Sequence, residues 1–124
     1  MEKKILFVED NHDNQYVVMR LLKNLDVEIV IAEDGLSAIE MAQKETPDLI
    51  LMDMQLPEIS GYDATKKIRE IKGLESVPII AVTAYCIVGD KEKTIQSGCT
   101  DYIGKPIVPN EFIQKIKTYL TIGN

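Results

Sequence analysis

Ile5-Leu6-Phe7-Val8-Glu9-Asp10 runs four consecutive apolar residues into two carboxylates. An unbroken apolar run of this length, without polar alternation, suits a strand of a parallel sheet covered by helices on both faces. The pattern recurs at Ile29-Val30-Ile31, Leu49-Ile50-Leu51-Met52 and Ile79-Ile80-Ala81-Val82, and more weakly around Tyr102-Ile103. Longer segments of helical period lie between. Val17, Val18, Leu21, Leu22 and Leu25 are expected on one face of a first helix, and Leu36, Ile39 and Ala42 on a second that ends before Pro47. Ile68 and Ile71 anchor a third ending near Gly73, while Phe112, Ile113, Ile116, Tyr119 and Leu120 share one face of the last. The fourth, from about Val88 to Ser97, is poor in apolar residues, so few buried contacts should hold it and it should shift at low cost.

Strand and helix thus alternate as (βα)5, which predicts an α/β fold: an open doubly wound parallel sheet with right-handed crossovers, flavodoxin-like, in strand order 2-1-3-4-5. The 124 residues are expected to form a single domain over 1–124. At 45% hydrophobic and 27% charged residues, the composition is that of a soluble globular protein, and no apolar stretch approaches the roughly 18 residues that span a bilayer. No secretory signal opens the chain, so the expected location is cytoplasmic, with no membrane partner. A net charge of −6 argues against direct binding of nucleic acid, whose phosphates call for clustered Lys and Arg. Cys86 and Cys99 have neither metal-ligand spacing nor the density of a disulfide scaffold, and are read as reduced thiols.

Each strand but the second ends in a polar residue. Glu9 and Asp10 follow the first, Asp53 the third, Thr83 the fourth and Lys105 the fifth. Because parallel strands share a direction, these side chains should converge at the carboxyl edge of the sheet, where the first and third strands send their helices to opposite faces. Three carboxylates and one ammonium leave a local excess of two negative charges, which should raise carboxylate pKa values unless a cation is present. All-oxygen ligands select a hard divalent ion, and a few carboxylates with room for water and phosphate oxygens suit Mg²⁺, with Mn²⁺ as a substitute. Such a set can stabilise phosphoryl transfer, with Asp53 as the nucleophile.

At these residues the chain resembles the receiver domains of bacterial two-component response regulators, over essentially its whole length. The motifs that carry the resemblance are Phe7-Val8-Glu9-Asp10-Asn11, Leu51-Met52-Asp53-Met54-Gln55-Leu56-Pro57 with Ser60-Gly61, Val82-Thr83-Ala84 and Tyr102-Ile103-Gly104-Lys105-Pro106. Four separated motifs in order are far more specific than any one alone. The resemblance implies that Asp53 accepts a phosphoryl group from the phosphohistidine of a histidine kinase or histidine phosphotransfer protein. It also implies Mg²⁺ held by Asp10, Asp53 and the Gln55 backbone carbonyl with help from Glu9, a cis Lys105–Pro106 bond, and phosphoryl oxygens bound by Thr83 and Lys105. In the implied switch, Thr83 moves toward the phosphoryl group and Tyr102 swings inward behind it. That would change a partner-binding face made by the fourth helix, fifth strand and fifth helix, in a monomer or a phosphorylation-dependent dimer.

Three positions depart from the usual pattern of these domains. Asp26 stands where a glycine is common, so a left-handed backbone there would carry a cost. Gly104 replaces a larger residue and should loosen the strand before Lys105. Tyr85, two after Thr83, offers no acid or amide to orient an attacking water, which predicts slow loss of the phosphoryl group.

Taken singly, each residue has a plainer reading. Glu9-Asp10 is a common helix-start charge pair, Thr83 an ordinary hydroxyl bonded to backbone, Tyr102 a core residue and His12 a solvated one. Asp90 to Lys93 is a solvated helix face. A haloacid dehalogenase-type phosphatase would also use a strand-end Asp and Mg²⁺, but it needs a second Asp two residues on, where Gln55 stands. A flavin- or nucleotide-binding module would need a Ser/Thr- or Gly-rich phosphate loop after the first strand, and none follows. Met1 just before the first strand and an end soon after Leu120 favour a free-standing regulator, although a receiver cut from a hybrid kinase or larger regulator would have the same ends.

Overall fold

A computed structural model of the chain describes residues 2–84 and 88–120, with side chains given throughout these except at 88–91. The elements alternate in order: β1 (Lys3–Val8), α1 (His12–Leu21), β2 (Val27–Ala32), α2 (Gly35–Glu45), β3 (Leu49–Asp53), α3 (Gly61–Arg69), β4 (Ile79–Thr83), α4 (Val88–Gln96), β5 (Asp101–Gly104) and α5 (Pro109–Leu120). All pairings are parallel, in the spatial order β2-β1-β3-β4-β5. The fold is flavodoxin-like, as the alternation predicts.

The continuous apolar runs become the buried centre of the sheet. Ile5 through Val8, Leu49 through Met52 and Ile79 through Val82 are each no more than 2% exposed. Successive side chains point to opposite faces. Leu6, Val8, Ile50, Met52, Ile79 and Ala81 meet Ala38 and Ala42 of α2 and Ala64 and Ile68 of α3. Ile5, Phe7, Leu49, Leu51, Ile80 and Val82 meet Val18 and Leu22, then Phe112, Ile116 and Leu120 of α5. Each fully buried aliphatic side chain stabilises the fold by about 1.5–3 kcal/mol. With α1 and α5 on one face and α2 and α3 on the other, the crevice falls between the carboxyl ends of β1 and β3.

The helix starts are encoded locally. Asn11, Asp34 and Ser60 accept hydrogen bonds from the backbone N–H groups of Asn14, Ser37 and Asp63. Such caps are worth about 1 kcal/mol each.

Some details differ from the periodicity. Val17 and Leu36, expected to face the core, are 49% and 52% exposed. With Val18 and Leu22 pointing inward, Val17 sits roughly 100° round the helix, on its flank. α1 stops at Leu21, so Leu25 packs from the following turn. Asp26 is not left-handed: among the described residues other than glycine, positive φ occurs at Thr46 and Glu58. Gly104 stays in the ladder opposite Thr83, and the N–H of Lys105 donates to the Thr83 carbonyl at 2.8 Å, so pairing continues up to the lysine.

Among the described side chains of α4, Thr94 is buried while Ile95 is 50% exposed, in keeping with its sparse apolar content. Glu92 and Lys93 are exposed; the side chains of Asp90 and Lys91 lie outside the described residues. The chain just beyond α4 is held by Arg69. Its Nε donates to the Gly98 carbonyl, Nη1 to the carbonyls of Leu74 and Val77, and Nη2 to Thr100 Oγ1.

Gly61 brings the start of α3 against the end of β3. A Cβ there would lie 2.4 Å from the Asp53 carbonyl oxygen and 2.7 Å from Met54 Cα, both backbone atoms. Gly61→Ala is therefore expected to lower the unfolding free energy by about 1–3 kcal/mol, the range of overpacking substitutions. Urea denaturation measures it, and an unchanged midpoint would show that the loop accommodates the methyl group.

Candidate functional site

Glu9 and Asp10 follow β1, Asp53 closes β3, Thr83 closes β4 and Lys105 follows β5, so the topology delivers all five to one edge. One carboxylate oxygen each from Glu9, Asp10 and Asp53 lies within 4.8 Å of the others. Glu9 and Asp53 are 2% exposed, while Asp10 opens to solvent. Lys105 Nζ sits 3.5 Å from Asp53 Oδ2 and 3.6 Å from Glu9 Oε1, bridging the two buried acids. Backbone donors add to this: the N–H of Gln55 donates to Asp53 Oδ1 at 2.9 Å, and that of Asn11 to Glu9 Oε2 at 3.2 Å.

Crowding has its expected electrostatic result. Burial first, and then the charge of Asp53, push the Glu9 carboxyl up to about 7, against the opposing pull of the Asn11 N–H and the Lys105 ammonium. The cluster could hold a metal, and its all-oxygen donor set with excess negative charge fits a hard divalent cation.

Thr83 is buried at the end of β4. The Lys105–Pro106 peptide bond is cis. Tyr102 is half-buried, with Lys115 Nζ of α5 lying 5.5 Å from its ring centroid. Its backbone is engaged on both sides: the N–H donates to Asp101 Oδ1 at 2.7 Å and the carbonyl accepts from Lys115 Nζ at 2.9 Å. Tyr119 OH donates to Asp101 Oδ2 at 2.8 Å. Gln55 is exposed beside Asp53. Cys99 is free and buried, and burial pushes its thiol pKa up. Tyr85 and Cys86 lie outside the described residues.

Two neighbours of the cluster were not singled out by sequence. Gln15 of α1 donates to the Glu9 carbonyl oxygen at 2.7 Å and to Glu33 Oε2 at 3.0 Å, and His12 Nε2 lies 2.8 Å from the same Glu33 oxygen. These bonds from Gln15 and then His12 hold the Glu33 carboxyl below the usual carboxylate range. No motif joins residues 15 and 33; the one available signal is that Gln15 stands one turn beyond the helix cap Asn11.

The sequence matches the response regulator receiver domain over residues 5–117, and the chain belongs to that family. Receiver domains of this kind are phosphoryl-transfer signalling switches of two-component and phosphorelay pathways. Among its relatives, the polar-differentiation response regulator DivK of Brucella ovis is 43% identical over 120 residues, covering 97% of this chain and 98% of that protein. The receiver domain of the sensor histidine kinase PA1611 from Pseudomonas aeruginosa, solved with a magnesium ion coordinated in its active-site cleft, is 37% identical. Its TM-score is 0.89, with 98% of this chain and 99% of that one covered. The receiver domain of the Saccharomyces cerevisiae response regulator Ssk1, solved with the histidine phosphotransfer protein Ypd1, is 32% identical with a TM-score of 0.89, covering 98% and 90%. Among the described residues, no helix is long and apolar enough to cross a membrane.

Without divalent cation, stability should fall as pH rises from 5 to 8. Between 4.5 and about 7 the folded chain holds a proton on Glu9 that the unfolded chain has lost, so raising the pH favours unfolding, by roughly 2 kcal/mol across the window. Denaturant unfolding in chelator at several pH values measures this, with Glu9→Gln expected to flatten the fall. Parallel curves for the two proteins would contradict the assignment to Glu9.

Proposed function

We propose that the chain is a cytoplasmic, free-standing receiver that takes a phosphoryl group onto Asp53 from the phosphohistidine of a histidine kinase or histidine phosphotransfer protein. The observation that carries this is the convergence of Glu9, Asp10 and Asp53 around Lys105 at the carboxyl edge of the sheet. Asp10, Asp53 and the Gln55 backbone carbonyl would hold Mg²⁺, with Glu9 assisting. The ion supplies charge neutralisation for the incoming phosphoryl oxygens when bound.

In the transfer, a carboxylate oxygen of Asp53 attacks phosphorus, the P–N bond to the donor imidazole breaks, and the imidazole keeps that electron pair. The N–H of Gln55 orients the Asp53 carboxylate through Oδ1. Lys105, already between Asp53 and Glu9, provides the positive charge for an oxygen of the arriving group. Thr83 supplies a hydroxyl to another. The self-phosphorylation and slow self-dephosphorylation are the chain's whole chemistry, with no turnover of an external substrate.

The output is a change in the face made by α4, β5 and α5, relayed by Thr83 and Tyr102 to a downstream protein partner. The half-buried setting of Tyr102 and, among the described side chains of α4, the exposure of Ile95 support that reading. Support for the donor comes from the kinship with a receiver solved together with a histidine phosphotransfer protein, and support for the single-domain reading from the near-complete match with DivK.

Intact-mass measurement after exposure to a small phosphodonor tests the assignment. One phosphoryl group is expected on the unaltered chain in the presence of Mg²⁺, with none without the ion and none on Asp53→Asn. Modification of Asp53→Asn to the same extent would place the acceptor elsewhere.

A further inference from the structure

Gln15 sits in the first turns of α1, half-buried, and one side-chain nitrogen meets two acceptors from different parts of the chain. Nε2 donates to the Glu9 backbone carbonyl at 2.7 Å and to Glu33 Oε2 at 3.0 Å. The amide nitrogen carries two hydrogens, one for each acceptor. The first acceptor belongs to the peptide that joins Glu9 to Asp10. The second stands just after β2, next to Asp34, the cap of α2.

We propose that Gln15 is a positioning residue for the acidic cluster, holding the Glu9–Asp10 peptide in the orientation that keeps the Asp10 carboxylate beside Asp53, with Glu33 as its anchor. The proposal rests on the reading of that cluster as a metal site. Three clustered carboxylates repel one another, and Asp10, exposed to solvent, is the one free to swing away. It can do so by turning about its own side-chain bonds or by rotation of the peptide that precedes it, which would move the whole residue. A hydrogen bond on the carbonyl of that peptide opposes the rotation, and the bond to Glu33 keeps the amide from following it.

The start of α1 does not require this side chain. Asn11 already caps the helix, accepting from the Asn14 N–H at 2.9 Å through its side chain and from the Gln15 N–H at 3.0 Å through its carbonyl. Removing the Gln15 amide should therefore change metal affinity much more than stability. Partners bonded directly to metal ligands cost about 10–100-fold in affinity when lost. Gln15 acts through the backbone, so about 3–10-fold is expected.

Calorimetric titration of Mg²⁺ into the full chain tests this with Gln15→Met, which keeps length and loses both donors, with Glu33→Asp, which keeps charge and withdraws the acceptor, and with the double variant. Asp10→Asn serves as the control. Gln15→Met should raise the Mg²⁺ Kd about 3–10-fold with its metal-free melting temperature within about 2 °C of the unaltered chain. Glu33→Asp should give a smaller loss, and the double variant should be no weaker than Gln15→Met, because Glu33 reaches the Glu9–Asp10 peptide through Gln15, its other partner being the exposed His12. Backbone amide exchange at Asp10 and Asn11, followed in metal-free protein, should be faster in Gln15→Met. Unchanged affinity and exchange, additive losses, or a large fall in melting temperature would each overturn the role. Should the unaltered chain and Asp10→Asn bind Mg²⁺ alike, the metal-site reading fails, and the exchange measurement alone still decides whether Gln15 holds the turn.

Discussion

Three carboxylates and one ammonium held at the edge of an apolar sheet are the arrangement on which the rest of this molecule turns. Left alone, the arrangement is unfavourable: Glu9 and Asp53 are both nearly inaccessible to water, and Lys105, at 3.5 and 3.6 Å, compensates the pair only in part. Glu9 responds by holding its proton up to neutral pH. The fold thus carries a local cost that a divalent cation or a phosphoryl group would change, and that responsiveness is what a switch requires.

The sheet around it must be rigid for this to work. Strands β1, β3 and β4, sealed on both faces, deliver Glu9, Asp53 and Thr83 from segments far apart in the chain, and parallel direction makes them arrive at the same end. Gly61 then lets α3 begin directly against the Asp53 carbonyl. By contrast, among the described side chains of α4 it is a threonine that enters the interior, while Arg69 ties the chain just beyond the helix at the opposite edge.

Much of this was legible in the residues themselves. Unbroken apolar runs marked the central strands because strands buried on both faces have no polar side to alternate with, and polar residues at their ends marked the site. Helix faces were less exact. Val17 and Leu36 are apolar yet exposed, since a helix flank accepts hydrocarbon without burying it. Asp26 adopts an ordinary backbone because the turn after α1 reaches β2 without a left-handed residue. The bonds of Gln15 to Glu9 and Glu33, and of Arg69 to four partners, could not be anticipated, as they depend on three-dimensional proximity between polar groups with no periodic signature.

The side chains around Tyr102 bear on how this protein can assemble. β5 ends the sheet, and a terminal strand ordinarily offers its backbone as a template for a further strand from another chain. At Tyr102 that invitation is withdrawn: its N–H is taken by Asp101 and its carbonyl by Lys115. A strand added at the middle of this border would have to displace both bonds, which turns recognition on that flank toward side chains.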